Sequence, residues 1–211
     1  MERKTSLVEA QEIMGNNFIG PNELRSVKDM FPLYIPAIIP EIPIASEELK
    51  KYSEDYILIL GVAEMDDNIP VNIFSMRVLF GIDPDSSEPC FYNQDWYSSE
   101  NFIRTPLENK WYLIKKNIIQ STRAESPESI LKQKICFPSA ILCAYTFFVY
   151  YFITGEYLWY HDFVWCSDSD HNNDRIYVGK YNDIDGVNKN GFSIHRHLSL
   201  RNCYGAIDIK S

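Results

Sequence analysis

The feature that most constrains this chain is the run SAILCAYTFFVYYFITGEYLWY, residues 139–160, its most apolar and most aromatic stretch. Pro138 and Ser139 are a helix start signal, because a serine here accepts a hydrogen bond from a free N–H of the first turn. Gly155 is a stop signal, since glycine readily adopts the left-handed conformation that follows many helices. Apolar side chains occupy nearly every face between these signals, which predicts a helix covered by other elements.

A membrane-spanning helix is the alternative for this run. A span needs about 20 apolar residues, and Gly155 and Glu156 interrupt the run before that length. Tyrosine hydroxyls, which need hydrogen-bond partners in lipid, also recur along it at Tyr145, Tyr150 and Tyr151. The pattern therefore favours a core helix over a membrane helix.

Length and composition predict one packed domain, residues 1–211, in which residues 1–15 form either a short helix ending at Gly15 or a loose tail. Hydrophobic residues make up 45% of the chain and aromatic residues 14%, which is typical of a globular protein with a substantial core. The net charge of −9 argues against nucleic acid and against anionic membrane surfaces as partners, because both attract basic proteins.

The cysteines and the N-terminal residues predict a cytoplasmic protein. The five cysteines are scattered, odd in number and never spaced as C-x-x-C, which favours reduced thiols over a disulfide framework or a zinc knuckle. The opening residues MERKTSLVEAQEIMGNNF contain no apolar core of a signal peptide.

Helices and strands are predicted to segregate along the chain. Helix starts are predicted at Gly20, at Ser46, which would cap its helix, and at Ser126. The run 69–80 is ambiguous, and as a helix it would begin at an Asp67 cap and close at Gly81. Prolines predict an extended path for residues 32–43, and residues 82–109 read as a long loop in which Trp96 covers the core.

Strands are predicted at residues 56–61 and 111–114, followed after the apolar helix by an antiparallel meander of residues 157–165, 175–181 and 192–198. The predicted fold class is α+β, with a buried aromatic-rich central helix packed against a mainly antiparallel sheet.

The C-terminal half resembles a family of uncharacterised bacterial proteins. The resemblance rests on WYLI from Trp111, FPSA at the start of the apolar helix, TGEYL at its end, a D-x-D turn, and DRIYVGKYNDIDG from Asp174. Tyr181 and Asn182 stand where the family has Phe-Asp, and the ending FSIHRH replaces a more acidic one. The resemblance implies a shared fold and no activity.

The acidic turn SDSDHNND, residues 167–174, is one candidate metal site. It places oxygen-bearing side chains at every second residue, as a Ca²⁺ loop does, at Asp168, Asp170, Asn172 and Asp174. Asp183 and Asp185 of the next turn could complete the ligand shell. The calcium-binding helix–loop–helix pattern is not met, because the loop lacks its glycine and its final glutamate. The alternative, which the composition favours, is a plain hairpin turn in which Asp and Asn bond their own backbone.

His195 and His197 form a second candidate metal site. Residues two apart on a strand point to the same face, and two imidazoles in that arrangement suit zinc. His161 and His171 could add ligands, although two such histidines also occur by chance on an exposed strand.

Two hypotheses on function follow. The first is a non-enzymatic interaction or structural module, because nucleophile, phosphate-loop and dinucleotide motifs are absent and because Tyr and Trp, favoured at protein interfaces, are abundant. Cys166 is a poor nucleophile, since neighbouring acids disfavour its thiolate. The second is a metal-binding protein or metal-dependent hydrolase that uses the turn 168–185 or the pair His195 and His197. No other cofactor is predicted.

Overall fold

Helices dominate the first half of the chain and a meander of strands closes it. The computed structural model describes residues 5–180, 191–196 and 200–210. The α-helices are α1 (Leu7–Met14), α2 (Pro21–Ser26), α3 (Ser46–Tyr52), α4 (Ile73–Phe80), α5 (Pro127–Leu131) and α6 (Ala140–Thr154). The strands are β1 (Phe18–Ile19), β2 (Tyr56–Leu60), β3 (Glu64–Met65), β4 (Ile69–Pro70), β5 (Trp111–Lys115), β6 (Phe163–Ser169), β7 (Arg175–Lys180), β8 (Phe192–His195), β9 (Tyr204–Gly205) and β10 (Ile209–Lys210). Short 3₁₀ turns occupy Gly15–Asn17, Asp66–Asn68, Asn101–Arg104 and Gln120–Thr122.

The central helix α6 begins and ends where the sequence predicts. The Ser139 hydroxyl accepts a hydrogen bond from the Leu142 N–H at 3.3 Å. Gly155 adopts a φ of 74° and donates its N–H to the Tyr151 carbonyl at 2.7 Å. Every residue of α6 from Ala140 to Tyr150 is buried. Neighbours cover this first part of the helix on every face, as its continuous apolar character requires.

The fold is α+β, as predicted, because α6 lies against two separate sheets. In the first sheet the strand order is β1-β2-β5-β10, and β2 and β5 pair antiparallel from Tyr56 opposite Lys115 to Leu60 opposite Trp111. The second sheet has the order β8-β7-β6-β9 and contains the predicted antiparallel meander. Helix α6 packs on β6 and β7 of the second sheet, and the Tyr145 hydroxyl donates to the Leu60 carbonyl of the first at 2.9 Å.

The meander sheet is covered on both faces by apolar side chains. Alternate residues of a strand point to opposite faces, so Val164 and Cys166 join the main core around α6 while Phe163 and Trp165 join a smaller cluster. That cluster is closed by Ile130 of α5 and by the aromatic residues Phe137, Tyr177 and Tyr204. Most of these aromatic side chains therefore pack inside the fold, and the four tryptophans are buried or half-buried.

Three local predictions were wrong. Helix α4 begins at Ile73 under an Asn72 cap, whose side chain accepts the Ser75 N–H at 2.9 Å, whereas Asp67 has left the helical path with a φ of 62°. Helix α3 is not capped by Ser46, because the Ser46 hydroxyl lies inside the helix and donates to Glu9 at 2.7 Å.

The third error concerns the first meander strand, which runs from Phe163 to Ser169 instead of 157–165. Trp159 and His161 adopt positive φ values of 51° and 66°, and this backbone conformation prevents an extended strand before residue 163. The strand also ends later than predicted and includes Ser167 and Asp168, which the sequence assigns to the following turn.

Three further expectations have definite outcomes. Residues 7–14 form a helix with Ala10 and Met14 buried, so the loose-tail alternative is wrong for them. The prolines at 32–43 do hold the chain out of helical structure. Within the described residues, no helix combines the length and the apolar character needed to cross a membrane.

Candidate functional site

Asp168 of the acidic turn caps the central helix. Its Oδ2 atom accepts the backbone N–H of Ala140 at 2.6 Å, where the first turn of α6 leaves N–H groups without a helical partner. Burial raises the pKa of Asp168, and the bond from Ala140 opposes that shift. Asp168 thus lies on β6 and bonds the helix, so the structure places it outside the turn to which the metal prediction assigned it.

Asp170 builds the turn itself. Its Oδ1 atom accepts two backbone hydrogen bonds, from the Asn172 N–H at 2.8 Å and from the Asp174 N–H at 2.9 Å. Its own N–H donates to the Asp174 carbonyl at 3.0 Å. These are the side-chain-to-backbone bonds of the hairpin-turn alternative. Asn172 and Asp174 are exposed and enter this network through their backbone. Asp183 and Asp185 lie outside the described residues.

The second carboxylate oxygen of Asp170 accepts a hydrogen bond from an arginine that stacks on a tryptophan ring. Arg196, just after β8, donates Nη1 to Asp170 Oδ2 at 2.9 Å, and its guanidinium lies 4.8 Å from the centre of the Trp96 ring. Burial of Asp170 opposes ionisation, yet the N–H of Asp174 and the Arg196 guanidinium outweigh it and lower the pKa of this carboxyl. The carboxylate is therefore ionised, and the guanidinium of Arg196 balances its charge.

Glu100 is the site residue that the sequence does not reveal. This buried carboxylate accepts the His171 N–H at 3.0 Å through Oε2, and its Oε1 lies 2.6 Å from His171 Nδ1. One ligand atom from each of Glu100, Asp170 and His171 lies within 4.8 Å of the others. These three residues line a cleft of about 390 Å³ together with Ser99, Asn101 and Ser169. Because 71 residues separate Glu100 from His171, the only sequence signal was the long loop that carries Glu100.

The loop is fastened to the meander by neighbouring side chains. Trp96 donates its indole N–H to the Ile194 carbonyl at 3.0 Å, and Gln94 accepts the Ile194 N–H at 3.3 Å. The predicted lid residue Trp96 does pack on the core, where it also supports Arg196. The loop therefore presents Glu100 to the turn from a fixed position.

The three histidines that the structure describes, His161, His171 and His195, do not form a cluster. His195 stacks on Tyr177 at 5.3 Å and lies 5.5 Å from the Phe163 ring, and the group of Glu100, Asp170 and His171 leaves it out. His161 packs on Tyr160. His197 lies outside the described residues, so the predicted pair with His195 stays a prediction.

A second, apolar groove shares no lining residue with this cleft. The groove is lined by residues of α4, of the β3–β4 hairpin and of the segment that follows α2. These residues are Pro32, Met65, Asp66, Asp67, Ile69, Phe74, Ser75, Val78 and Leu79. The groove has a volume of about 490 Å³. Ile69, Phe74, Val78 and Leu79 are all exposed, with Val78 at 72%.

Helix α4 explains why the groove exists. Its sequence IFSMRVLF contains only two polar residues, Ser75 and Arg77. Ile73, Met76 and Phe80 point into the core, and the outward residues that would ordinarily be polar are apolar as well. An exposed patch of this kind is a common mark of an interaction site on a soluble domain.

Comparisons of the chain with protein-family models, with curated proteins and with solved structures give no match. The resemblance of the C-terminal half to uncharacterised bacterial proteins therefore stays a prediction.

Proposed function

We propose that this protein is a non-enzymatic interaction module that docks a partner protein in the groove beside α4. The observation that carries the proposal is the solvent-facing side of α4, where Phe74, Val78 and Leu79 are 44%, 72% and 40% exposed. Burying such side chains against a partner releases about 25 cal/mol for each Å² of apolar surface. The interface differs from the one expected from the Tyr and Trp content, because it is mainly aliphatic.

The described polar clusters support a non-enzymatic role. Burial raises the pKa of the Cys166 thiol, with Cys143 and Asp168 adding to the effect, so this cysteine is unsuited to nucleophilic attack. Asp168 is engaged with α6, and the carboxylate oxygens of Glu100 and Asp170 already accept hydrogen bonds from the protein. We also propose a cytoplasmic location, which the five unpaired thiols support.

A selection from a random peptide library displayed on phage tests the docking function. Peptides are selected on the parent protein and then tested on Val78→Glu, which puts a charge into the groove without touching the core. Val8→Glu is the matched control, because Val8 is an equally exposed helical valine at 68% on α1 and does not line the groove. We expect selected peptides to bind the parent and Val8→Glu but not Val78→Glu. Peptides that bind all three proteins alike would contradict the proposal.

Metal binding is the second candidate function, and one observation favours it. Glu100, Asp170 and His171 offer two carboxylates and an imidazole within 4.8 Å, a set that suits zinc with an open fourth position. Calcium suits it less, since Ca²⁺ takes six to eight oxygen ligands. The candidate ranks second because zinc would have to displace the bonds that Arg196 and His171 make to the two carboxylates.

Thermal melting with zinc and with a chelator tests this candidate. A ligand that binds only the folded state raises its melting temperature, so a zinc site predicts a rise in the parent that is lost in His171→Ala. His161→Ala is the control, because His161 is also exposed and is not part of the group of Glu100, Asp170 and His171. Equal melting temperatures with zinc and with chelator would rule the candidate out.

A further inference from the structure

We infer that the groove takes an amphipathic helix whose apolar stripe is flanked by lysines or arginines. The inference rests on the docking function proposed above and adds the conformation and the charge of the partner segment.

The shape of the groove favours a helix over an added strand. Phe74 and Val78 are four residues apart on α4 and form an exposed row along its outer face, and Ser75 and Leu79 form a neighbouring row in which Leu79 is exposed and Ser75 is buried. Rows of this spacing accept the side-chain ridges of a second helix, and apolar residues at positions i, i+3, i+4 and i+7 of the partner would fill the groove.

The neighbouring sheet edge is poorly suited to pairing with an extended peptide. Strand β4 is only two residues long, and its second residue, Pro70, has no N–H to donate. Strand β3 is bonded to β4 on one side and meets Leu33 through a bridge to Met65 on the other. Side-chain burial, and not backbone pairing, must therefore supply the affinity.

The charge of the groove selects a basic partner. Two of its lining residues carry charge, and both are carboxylates, Asp66 and Asp67. Lys28 lies 3.2 Å from Asp66 and offsets part of its charge, but both side chains are about half exposed, so the pair is weakly held and opens readily to a cation of the partner. Asp67 is exposed, and the whole chain has a net charge of −9, which attracts a cationic segment.

The wall of the groove that Phe74 forms is different. Arg104 lies over the Phe74 ring, 4.5 Å from its centre, and so covers part of the apolar wall. The basic residues of the partner should therefore lie beside Asp66 and Asp67 and not beside Arg104.

Fluorescence anisotropy with two labelled synthetic peptides tests the inference. Both carry the same leucine stripe at helical spacing, and one has lysines and the other glutamates beside the stripe. We expect the lysine peptide to bind the parent about tenfold more tightly than the glutamate peptide. The affinity should be lost in Val78→Glu and kept in Val8→Glu. In the double variant Asp66→Asn, Asp67→Asn the two peptides should bind within about threefold of each other.

Asparagine is the right replacement at both positions. It tolerates the left-handed conformation that Asp67 adopts, so charge is removed while the backbone is kept. Equal binding of the two peptides to the parent, with loss in Val78→Glu, would overturn the charge preference and leave the docking function standing. Binding of neither peptide would overturn the inference, and the phage selection would then decide the docking function. A parent dimer that Val78→Glu dissociates in sedimentation would make a second copy of the chain the occupant and would also overturn it.

Discussion

The carboxylate of Asp168 and the backbone N–H of Ala140 join the meander sheet to the central helix through a hydrogen bond of 2.6 Å. Asp168 comes from β6, 28 residues after Ala140. Ser139, the residue just before the helix, already accepts the Leu142 N–H, so the first turn of α6 is capped from two directions. This contact fixes the start of the helix relative to the strand that carries the acidic turn.

Replacing Asp168 separates the value of the hydrogen bond from the cost of the buried charge. Asp168→Ala removes the acceptor, and the free energy of unfolding should fall by about 0.5–2 kcal/mol, as for other helix caps. Asp168→Asn keeps an oxygen acceptor and should cost less than half as much. Urea denaturation of both variants at pH 7 measures the difference, and equal losses would contradict a capping role.

The pH dependence of the same pair has a defined sign. Burial raises the pKa of Asp168 above its unfolded value, so the folded state binds the proton more tightly. Stability contributed by this group is therefore present below the unfolded pKa and is lost as the pH rises through the folded pKa. In urea denaturation, the advantage of the parent over Asp168→Asn should therefore be largest at low pH and should shrink towards neutral pH.

Phe148 occupies the centre of the main core. Its ring stacks on Phe80 at 4.3 Å and on Phe91 at 5.0 Å, and it has no exposed surface. Phe148→Ala should lower the free energy of unfolding by about 3–5 kcal/mol, through lost burial and the cavity left behind. Phe74→Ala is the matched control on the outer face of α4 and should cost far less. Similar melting temperatures for the two variants would contradict a position of Phe148 in the core.

Gly155 tests the end of α6 in isolation. Its φ of 74° lies in the left-handed region, and a Cβ added there would meet no atom within 4 Å. Any loss in Gly155→Ala is therefore conformational, and we expect about 1–2 kcal/mol in the free energy of unfolding. Gly155→Asn should lose less, because asparagine tolerates this conformation. A neutral Gly155→Ala in denaturation would show that the helix end can adopt another path.

Local signals explain why the central helix could be predicted from sequence. Ser139 and Gly155 form hydrogen bonds with backbone groups no more than four residues away, so both ends of the helix can be predicted from the neighbouring sequence. The apolar runs at β2 and β5 are equally local signals of buried strands. The start of β6 was missed because positive φ values at Trp159 and His161 leave no clear trace in an aromatic sequence.

The candidate sites depend on contacts that the sequence does not encode locally. Glu100 meets His171 across 71 residues, and no spacing rule connects a loop glutamate to a hairpin turn. The groove was missed for a different reason. The apolar residues of α4 look like core residues, and only the packing shows that Phe74, Val78 and Leu79 are left outside while Ile73, Met76 and Phe80 are covered.

The metal-site and hairpin-turn interpretations of the acidic turn predict opposite effects of replacing Asp170 on stability. A calcium ligand in a cluster of acids would repel its neighbours, and Asp170→Asn would leave the metal-free protein as stable as before or more stable. The structure instead gives this carboxylate two backbone donors and Arg196. Asp170→Asn should therefore lower the melting temperature at pH 7. Asp174→Asn should leave it unchanged, because Asp174 is exposed and joins the network through its backbone.

The effect should disappear in acid. The N–H groups and Arg196 lower the pKa of Asp170 below its unfolded value. A lowered carboxyl pKa contributes stability that is present above the unfolded pKa and is lost as the pH falls through the folded pKa. The difference in melting temperature between the parent and Asp170→Asn should therefore shrink below about pH 4, where unfolded Asp becomes protonated. A difference that stays constant down to pH 2 would show that the charge of Asp170 is not what holds the turn.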